Sequence, residues 1–164
     1  METATESERS PSPADAALPP PVKVRVKRLY PEARIPEPAH FGDSGVDLRS
    51  CIEDISLPPG QRAIIPTGLA FEIPVGYEIQ IRPRSGLAAK KGLTCLNAPG
   101  TIDSGYRGEV KVILYNSSRE NVLIRKGDRI AQAVLARVER IEWEETDALT
   151  ESSRGTGGFG STGV

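Results

Sequence analysis

The sequence predicts an all-β domain, a sandwich or a barrel, and three observations carry that expectation. Short apolar runs with two-residue periodicity recur between residues 22 and 138, and Gly- and Pro-containing turns separate them. No strand–helix–strand rhythm appears that would build a doubly wound parallel sheet.

The elements follow in chain order. Val22, Val24 and Val26 alternate with Lys23, Arg25 and Lys27, the pattern of a half-buried strand. Phe71, Ile73, Ile79 and Ile81 fit strand periodicity, and the Ile-Pro-Val-Gly-Tyr stretch at residues 73–77 fits the turn between two strands. A brief helix is expected at Leu87, Ala88 and Ala89. Glu109–Asn116 is the strongest strand, with Val110, Val112 and Leu114 on one face. Two more strands flank Gly127 and Asp128. The second, Ile130–Val138, holds three alanines, but its place after a Gly-Asp turn reads as strand rather than helix.

Residues 1–21 form a polar, proline-rich lead expected to be disordered, residues 22–145 the β-domain, and residues 146–164 a flexible arm. The arm holds Gly155, Gly157, Gly158, Gly160 and Gly163 around one aromatic, Phe159. It reads either as a mobile terminus or as a lid whose backbone N–H groups close on a ligand.

Charge is nearly balanced, with 21 Lys and Arg against 22 Asp and Glu, and the few aromatics form no stacking platform. Nucleic acid is therefore not an expected partner. Two cysteines, Cys51 and Cys95, and a single histidine make a disulfide scaffold or a protein-ligated zinc unexpected. Neither a signal peptide nor a membrane-length apolar run is seen, so a cytoplasmic location is expected and no membrane partner.

Four segments raise chemical questions. Asp47 lies between Val46 and Leu48 at the start of a strand, so it either faces solvent or pairs with an arginine or a hydrated metal ion. Arg84, Ser85 and Gly86 follow a strand, where a guanidinium, a hydroxyl and a glycine N–H together grip phosphate oxygens. Gln132 needs a partner for a strand-borne amide, either backbone or ligand phosphate. The stretch Asn97–Glu109 brings two extended arms together around Asp103, Ser104 and Gly105. Such a hairpin offers backbone donors and acceptors to the edge of a flat ring. Asp103 either caps the turn or accepts a proton from water, and Tyr106 either packs on the core or presents a flat surface to a sugar.

Taken in order, Ser-Gly-Val-Asp-Leu at 44–48, Arg-Ser-Gly-Leu-Ala at 84–88, the 97–109 stretch, Gly-Asp-Arg-Ile-Ala-Gln at 127–132 and the 154–163 tail resemble the five motifs of the trimeric dUTP pyrophosphatase (dUTPase) family. The resemblance implies a jelly-roll-like β-barrel, a homotrimer with shared active sites, and Mg²⁺-assisted hydrolysis of dUTP to dUMP and pyrophosphate. By the same resemblance Asp103 activates the attacking water, and Tyr106 lies beneath deoxyribose and excludes a 2′-hydroxyl. Asn97, Gly100, Thr101 and Ile102 belong to the uracil hairpin. Arg84, Ser85, Gly86 and Gln132 contact phosphates, and Asp47 supports the site. The tail implies a closing arm, with Arg154 at the terminal phosphate, Phe159 over uracil, and Gly160, Ser161 and Thr162 adding contacts. Mg²⁺ is expected on substrate phosphates and waters, with no direct protein ligand. Ser44 stands where the family more often has alanine. A dCTP deaminase-like enzyme and a non-catalytic β-barrel are the alternatives.

Overall fold

The structure, a computed structural model, describes residues 20–158. Among these are eleven strands: β1 (Arg25–Arg28), β2 (Gly45–Arg49), β3 (Ile55–Leu57), β4 (Arg62–Pro66), β5 (Leu69–Glu72), β6 (Tyr77–Arg82), β7 (Leu93–Cys95), β8 (Gly100–Ile102), β9 (Lys111–Asn116), β10 (Val122–Ile124) and β11 (Arg129–Arg137). One helix, α1 (Ser85–Lys91), interrupts them. Every pairing is antiparallel. One sheet runs β2-β11-β6-β8 and another β4-β9-β7, with β1-β5 and β3-β10 as smaller pairs. Because sequence neighbours sit in different sheets, the chain crosses repeatedly between them, and the result is a jelly-roll-like β-barrel.

The alternation at the N-terminus is realised: Val22, Val24 and Val26 are half-buried while Lys23, Arg25 and Lys27 are exposed. Only Arg25–Arg28 gains a hydrogen-bonded partner, β5, and the Arg25 guanidinium meets the Glu72 carboxylate at 2.9 Å. The expected turn between β5 and β6 closes with Tyr77 N–H donating to the Pro74 carbonyl at 3.2 Å.

Val110, Val112 and Leu114 are each at most 1 % exposed and share one core cluster with Ile65, Leu93 and Cys95, which lie on the neighbouring strands β4 and β7 of the same sheet. Burial of each such side chain contributes about 1.5–3 kcal/mol. Ile130–Val138 is a strand over nearly its whole length, because β2 and β6 hydrogen-bond to it from both sides. Pairing on two edges overrides the helix preference of its alanines. Ala131 and Ala133 are both buried in the core.

The expected brief helix extends over seven residues and stops at Gly92, which takes the left-handed conformation. Cys51 and Cys95 are both free thiols, Cys95 buried. Among the described residues no helix is long and apolar enough to cross a membrane.

Candidate functional site

A cleft of about 420 Å³ opens where β2, β11 and the start of α1 meet. Its lining brings Ser44, Gly45 and Asp47 together with Arg84, Ser85 and Gly86 and with Arg129 and Gln132. Three segments far apart in sequence thus converge because β11 pairs with both β2 and β6, setting Gln132 opposite Asp47 on one side and Arg82 on the other.

Asp47 resolves in favour of arginine. Arg84 Nε donates to Asp47 Oδ1 at 2.6 Å, and Arg84 Nη2 reaches Oδ2 at 3.4 Å. Arg129 Nη1 donates to the same Oδ2 at 3.1 Å. The Asp47 and Arg84 side chains are 27 % and 23 % exposed, so the pair is sheltered while the guanidinium edges stay open to the cleft. A carboxylate holding two guanidinium groups fixes their planes, which leaves their remaining N–H donors aimed as a unit. Arg129 is a site residue that the sequence reading missed. The interruption of β11–β2 register between Arg129 and Ala131 carries it to Asp47, and no spacing rule reveals such an irregularity.

Gln132 is satisfied by backbone: its Nε2 donates to the Pro83 carbonyl at 2.9 Å. Its Oε1 lies so close to Gly45 that any Cβ there would collide with it. A side chain at 45 would therefore displace the Gln132 amide from its present position. Ser85 and Gly86 occupy the first turn of α1, where backbone N–H groups have no intrahelical acceptor. Glu37 and Asp43, from the segment before β2, complete the rim, and neither was anticipated.

The Asn97–Glu109 stretch stands elsewhere on the same sheet, and its two arms do not pair with each other as expected: only the first is a strand, hydrogen-bonded to β6, and a turn follows at Asp103–Tyr106. Gly100, Thr101 and Ile102 form β8, which pairs with Ile81, Gln80 and Ile79 of β6. Gly100 is buried, with Asn97 and Ile81 closest to it. Asp103 follows immediately, exposed, and its carbonyl accepts from Tyr106 N–H at 3.1 Å. Tyr106 is 45 % exposed and donates its hydroxyl to the Glu109 carbonyl at 3.0 Å. Its ring lies over Gly108, where a Cβ would strike it. Tyr106 is thus held at the surface rather than packed in the core. None of Asn97–Tyr106 lines the arginine cleft, so within one chain the two halves of the expected site lie on separate surfaces.

Arg154 Nε donates to the Gly157 carbonyl at 2.9 Å, within its own segment. Phe159, Gly160, Ser161 and Thr162 lie outside the described residues. Among the described residues no three His, Cys, Asp or Glu side chains converge as a metal-ligand group.

A β-barrel with an arginine-walled cleft and a separately presented carboxylate-tipped hairpin defines a protein that holds anionic ligands. Comparison with known proteins identifies the class more closely. The family model described as dUTPase matches residues 31–163. The chain is 56 % identical over 142 residues to the deoxyuridine 5'-triphosphate nucleotidohydrolase of Nautilia profundicola, covering 87 % of this chain and 99 % of that one. It is 51 % identical to the enzyme of that name from Gloeothece citriformis, covering 87 % and 98 %. Among solved structures, a mutant dUTPase of Staphylococcus bacteriophage 80alpha with dUpNHpp has a TM-score of 0.76 at 31 % identity, covering 87 % of this chain and 99 % of that one. A mutant dUTPase from phage phi11 of S. aureus, whose structure details the coordination of a structural Mg(II) ion, has a TM-score of 0.68 at 27 % identity, covering 77 % and 97 %. The chain belongs to the dUTPase family.

Proposed function

We propose that the protein hydrolyses dUTP to dUMP and pyrophosphate. The observation that carries this reading is the family match over residues 31–163, which runs through all five motif segments. Asp103 orients a water and takes its proton as the water oxygen attacks the α-phosphorus. The bond from that phosphorus to the bridging oxygen breaks, and pyrophosphate leaves. Arg84, Arg129, Ser85, Gly86 and Gln132 hold the phosphate chain, and Asp47 keeps the two guanidinium groups in place. The hairpin Asn97, Gly100, Thr101 and Ile102 reads the uracil edge, and Tyr106 carries the deoxyribose on its exposed ring.

Mg²⁺ suits the donors present. A hard ion that keeps waters and binds phosphate oxygens needs no protein cage, and Glu37 and Asp43 on the cleft rim offer carboxylates to its hydration shell. When bound, the ion neutralises phosphate charge.

The separation of the arginine cleft from the Asp103 hairpin supports a homotrimer in which each active site draws on more than one subunit. Ile141 and Trp143, 71 % and 87 % exposed in the single chain, add apolar surface for such contacts. Residues 146–164 act as the arm that closes a site, with Arg154 turning from Gly157 to the terminal phosphate and Phe159, Gly160, Ser161 and Thr162 covering the base and sugar. The protein works in the cytoplasm.

The test is pyrophosphate release from dUTP, dTTP, dCTP and UTP with Mg²⁺, for wild type and Asp103→Asn. A strong preference for dUTP is expected, with turnover lowered about 10²–10⁴-fold in the variant. A folded wild type inert on dUTP overturns the assignment. Ammonia release from dCTP would then favour a deaminase, and silence on all four a non-catalytic barrel.

A further inference from the structure

A further cavity lies outside the site described above. It is a groove of about 530 Å³ between the C-terminal turn of α1 and residues 118–125. Lys90 and Lys91 stand on one wall and Arg119 and Arg125 on the other, with Glu120 as the one carboxylate in the lining. Among the described residues none of these four cations forms an ion pair.

Helix electrostatics accounts for part of this. Lys90 and Lys91 complement the negative end of α1. That reason does not reach Arg119 and Arg125, which come from the opposite wall. The walls are also held in place. Ser117 donates from N–H and Oγ to the Gly92 carbonyl at 2.9 and 2.8 Å, tying the loop to the end of the helix. Asn116 Oδ1 accepts from Ser118 N–H and Oγ at 2.9 and 2.7 Å, fixing the loop from beneath.

The groove is joined to the arginine cleft. A smaller cavity of about 190 Å³ lies between them and shares Lys91 and Leu123 with the groove and Arg84 and Arg129 with the cleft. Cations therefore recur along a path around α1, from Arg119 and Arg125 past Lys91 to Arg84 and Arg129, with Asp128 and the apolar Leu87, Leu93, Ile124 and Ile130 lining its middle.

We propose that this groove is a second anion site that takes a polyphosphate chain, and that it hands the chain to and from the Arg84–Arg129 cleft. Binding in the groove requires only the four cations. The hand-over rests on the dUTP reading, in which a triphosphate arrives and a pyrophosphate departs. Along the groove and the joining cavity six cations, Lys90, Lys91, Arg119, Arg125, Arg84 and Arg129, outweigh the carboxylates Glu120 and Asp128, and that excess biases the field toward anions.

The test is calorimetric titration of the full chain with inorganic tripolyphosphate at low salt. The variants are Lys90→Gln/Arg119→Gln/Arg125→Gln, Arg84→Gln, and a charge-matched control, Lys23→Gln/Lys27→Gln/Arg62→Gln. Wild type is expected to bind at two classes of site per chain. The groove variant should lose one class, at least tenfold in affinity, Arg84→Gln should lose the other, and the control should keep both. Thermal midpoints establish that each variant is folded. A single class abolished by Arg84→Gln and indifferent to the groove variant overturns the proposal, as does equal weakening by the control. Groove-dependent binding in a chain that hydrolyses no dUTP supports the anion site and removes only the hand-over.

Discussion

At the scale of single residues, Asp47 and Cys95 show how burial gives an ionisable group its task. Both Asp47 carboxylate oxygens are taken by Arg84 and Arg129, which fits a positioning role. Asp47→Asn keeps the shape and removes the charge that holds both guanidinium groups. Its expected effect is a rise in KM for dUTP that lowers kcat/KM about 10–100-fold. A double-mutant cycle of Asp47→Ala with Arg84→Ala should give a coupling of about 1 kcal/mol in stability, modest because both side chains keep some contact with water. A loss of stability with KM unchanged would contradict the positioning role. Cys95 answers to pH instead. Desolvation pushes its thiol from an ordinary value of 9.0 up to about 11. Below pH 9 the thiol is protonated in both folded and unfolded chains. Between 9 and 11 the unfolded chain gives up the proton and the folded one keeps it, so stability falls as pH rises. The fall should reach roughly 2 kcal/mol by pH 10.5. Urea midpoints of wild type and Cys95→Ala should therefore converge between pH 8 and 10.5, and parallel midpoints would refute the account.

At the scale of elements, strand β9 separates what was legible from what was not. Its alternation was plain, because each inward position had to be apolar to fill the space between sheets. The same alternation continues from Val112 and Leu114 to Asn116, which is fully buried, and that polar ending is where pattern stops being informative. Asn116 Nδ2 donates to the Leu57 and Glu120 carbonyls, both at 2.8 Å, while Oδ1 holds Ser118. The amide thus joins β9 to the end of β3 and to the loop before β10. Only the meeting of three segments defines its partners, so no local rule names them. Asn116→Asp replaces a two-proton donor with an acceptor facing two carbonyls. It should destabilise the fold by roughly 3–5 kcal/mol in chemical denaturation, whereas a change under 1 kcal/mol would show that water replaces these bonds. The candidate site divides in the same way. Asp47 and Gln132 were readable as polar groups in awkward strand positions, and Arg84 as a guanidinium beside a hydroxyl and a glycine just after a strand. Arg129, Glu37 and Asp43 were not, since a register irregularity and an irregular approach to β2 bring them in.

At the scale of the whole molecule, one barrel displays two half-sites that do not meet. The cleft with Arg84 and Gln132 lies at the β2 side of the sheet, and the Asp103 hairpin follows β8 at its other edge. Strand β6 pairs with both β11 and β8, so it stands between them and no side-chain rearrangement merges the two. A second copy can bring its hairpin to the cleft, and a cyclic assembly lets every copy do so once. On the proposed homotrimer reading, activity is a property of neighbours, which mixing can expose. Asp103→Asn lacks the water-orienting carboxylate but keeps its arginine, while Arg84→Ala keeps the carboxylate and lacks the phosphate grip. Each alone should be nearly inactive. Unfolded together at equal amounts and refolded, they form hybrid assemblies in which an intact Asp103 from one copy meets an intact Arg84 from another. If subunits mix at random, about one site in four is whole, so roughly a quarter of wild-type turnover should return. Sites built within a single chain would restore none, because every chain in the mixture carries a defect. Recovery that scales with the product of the two subunit fractions would count the contributing chains directly.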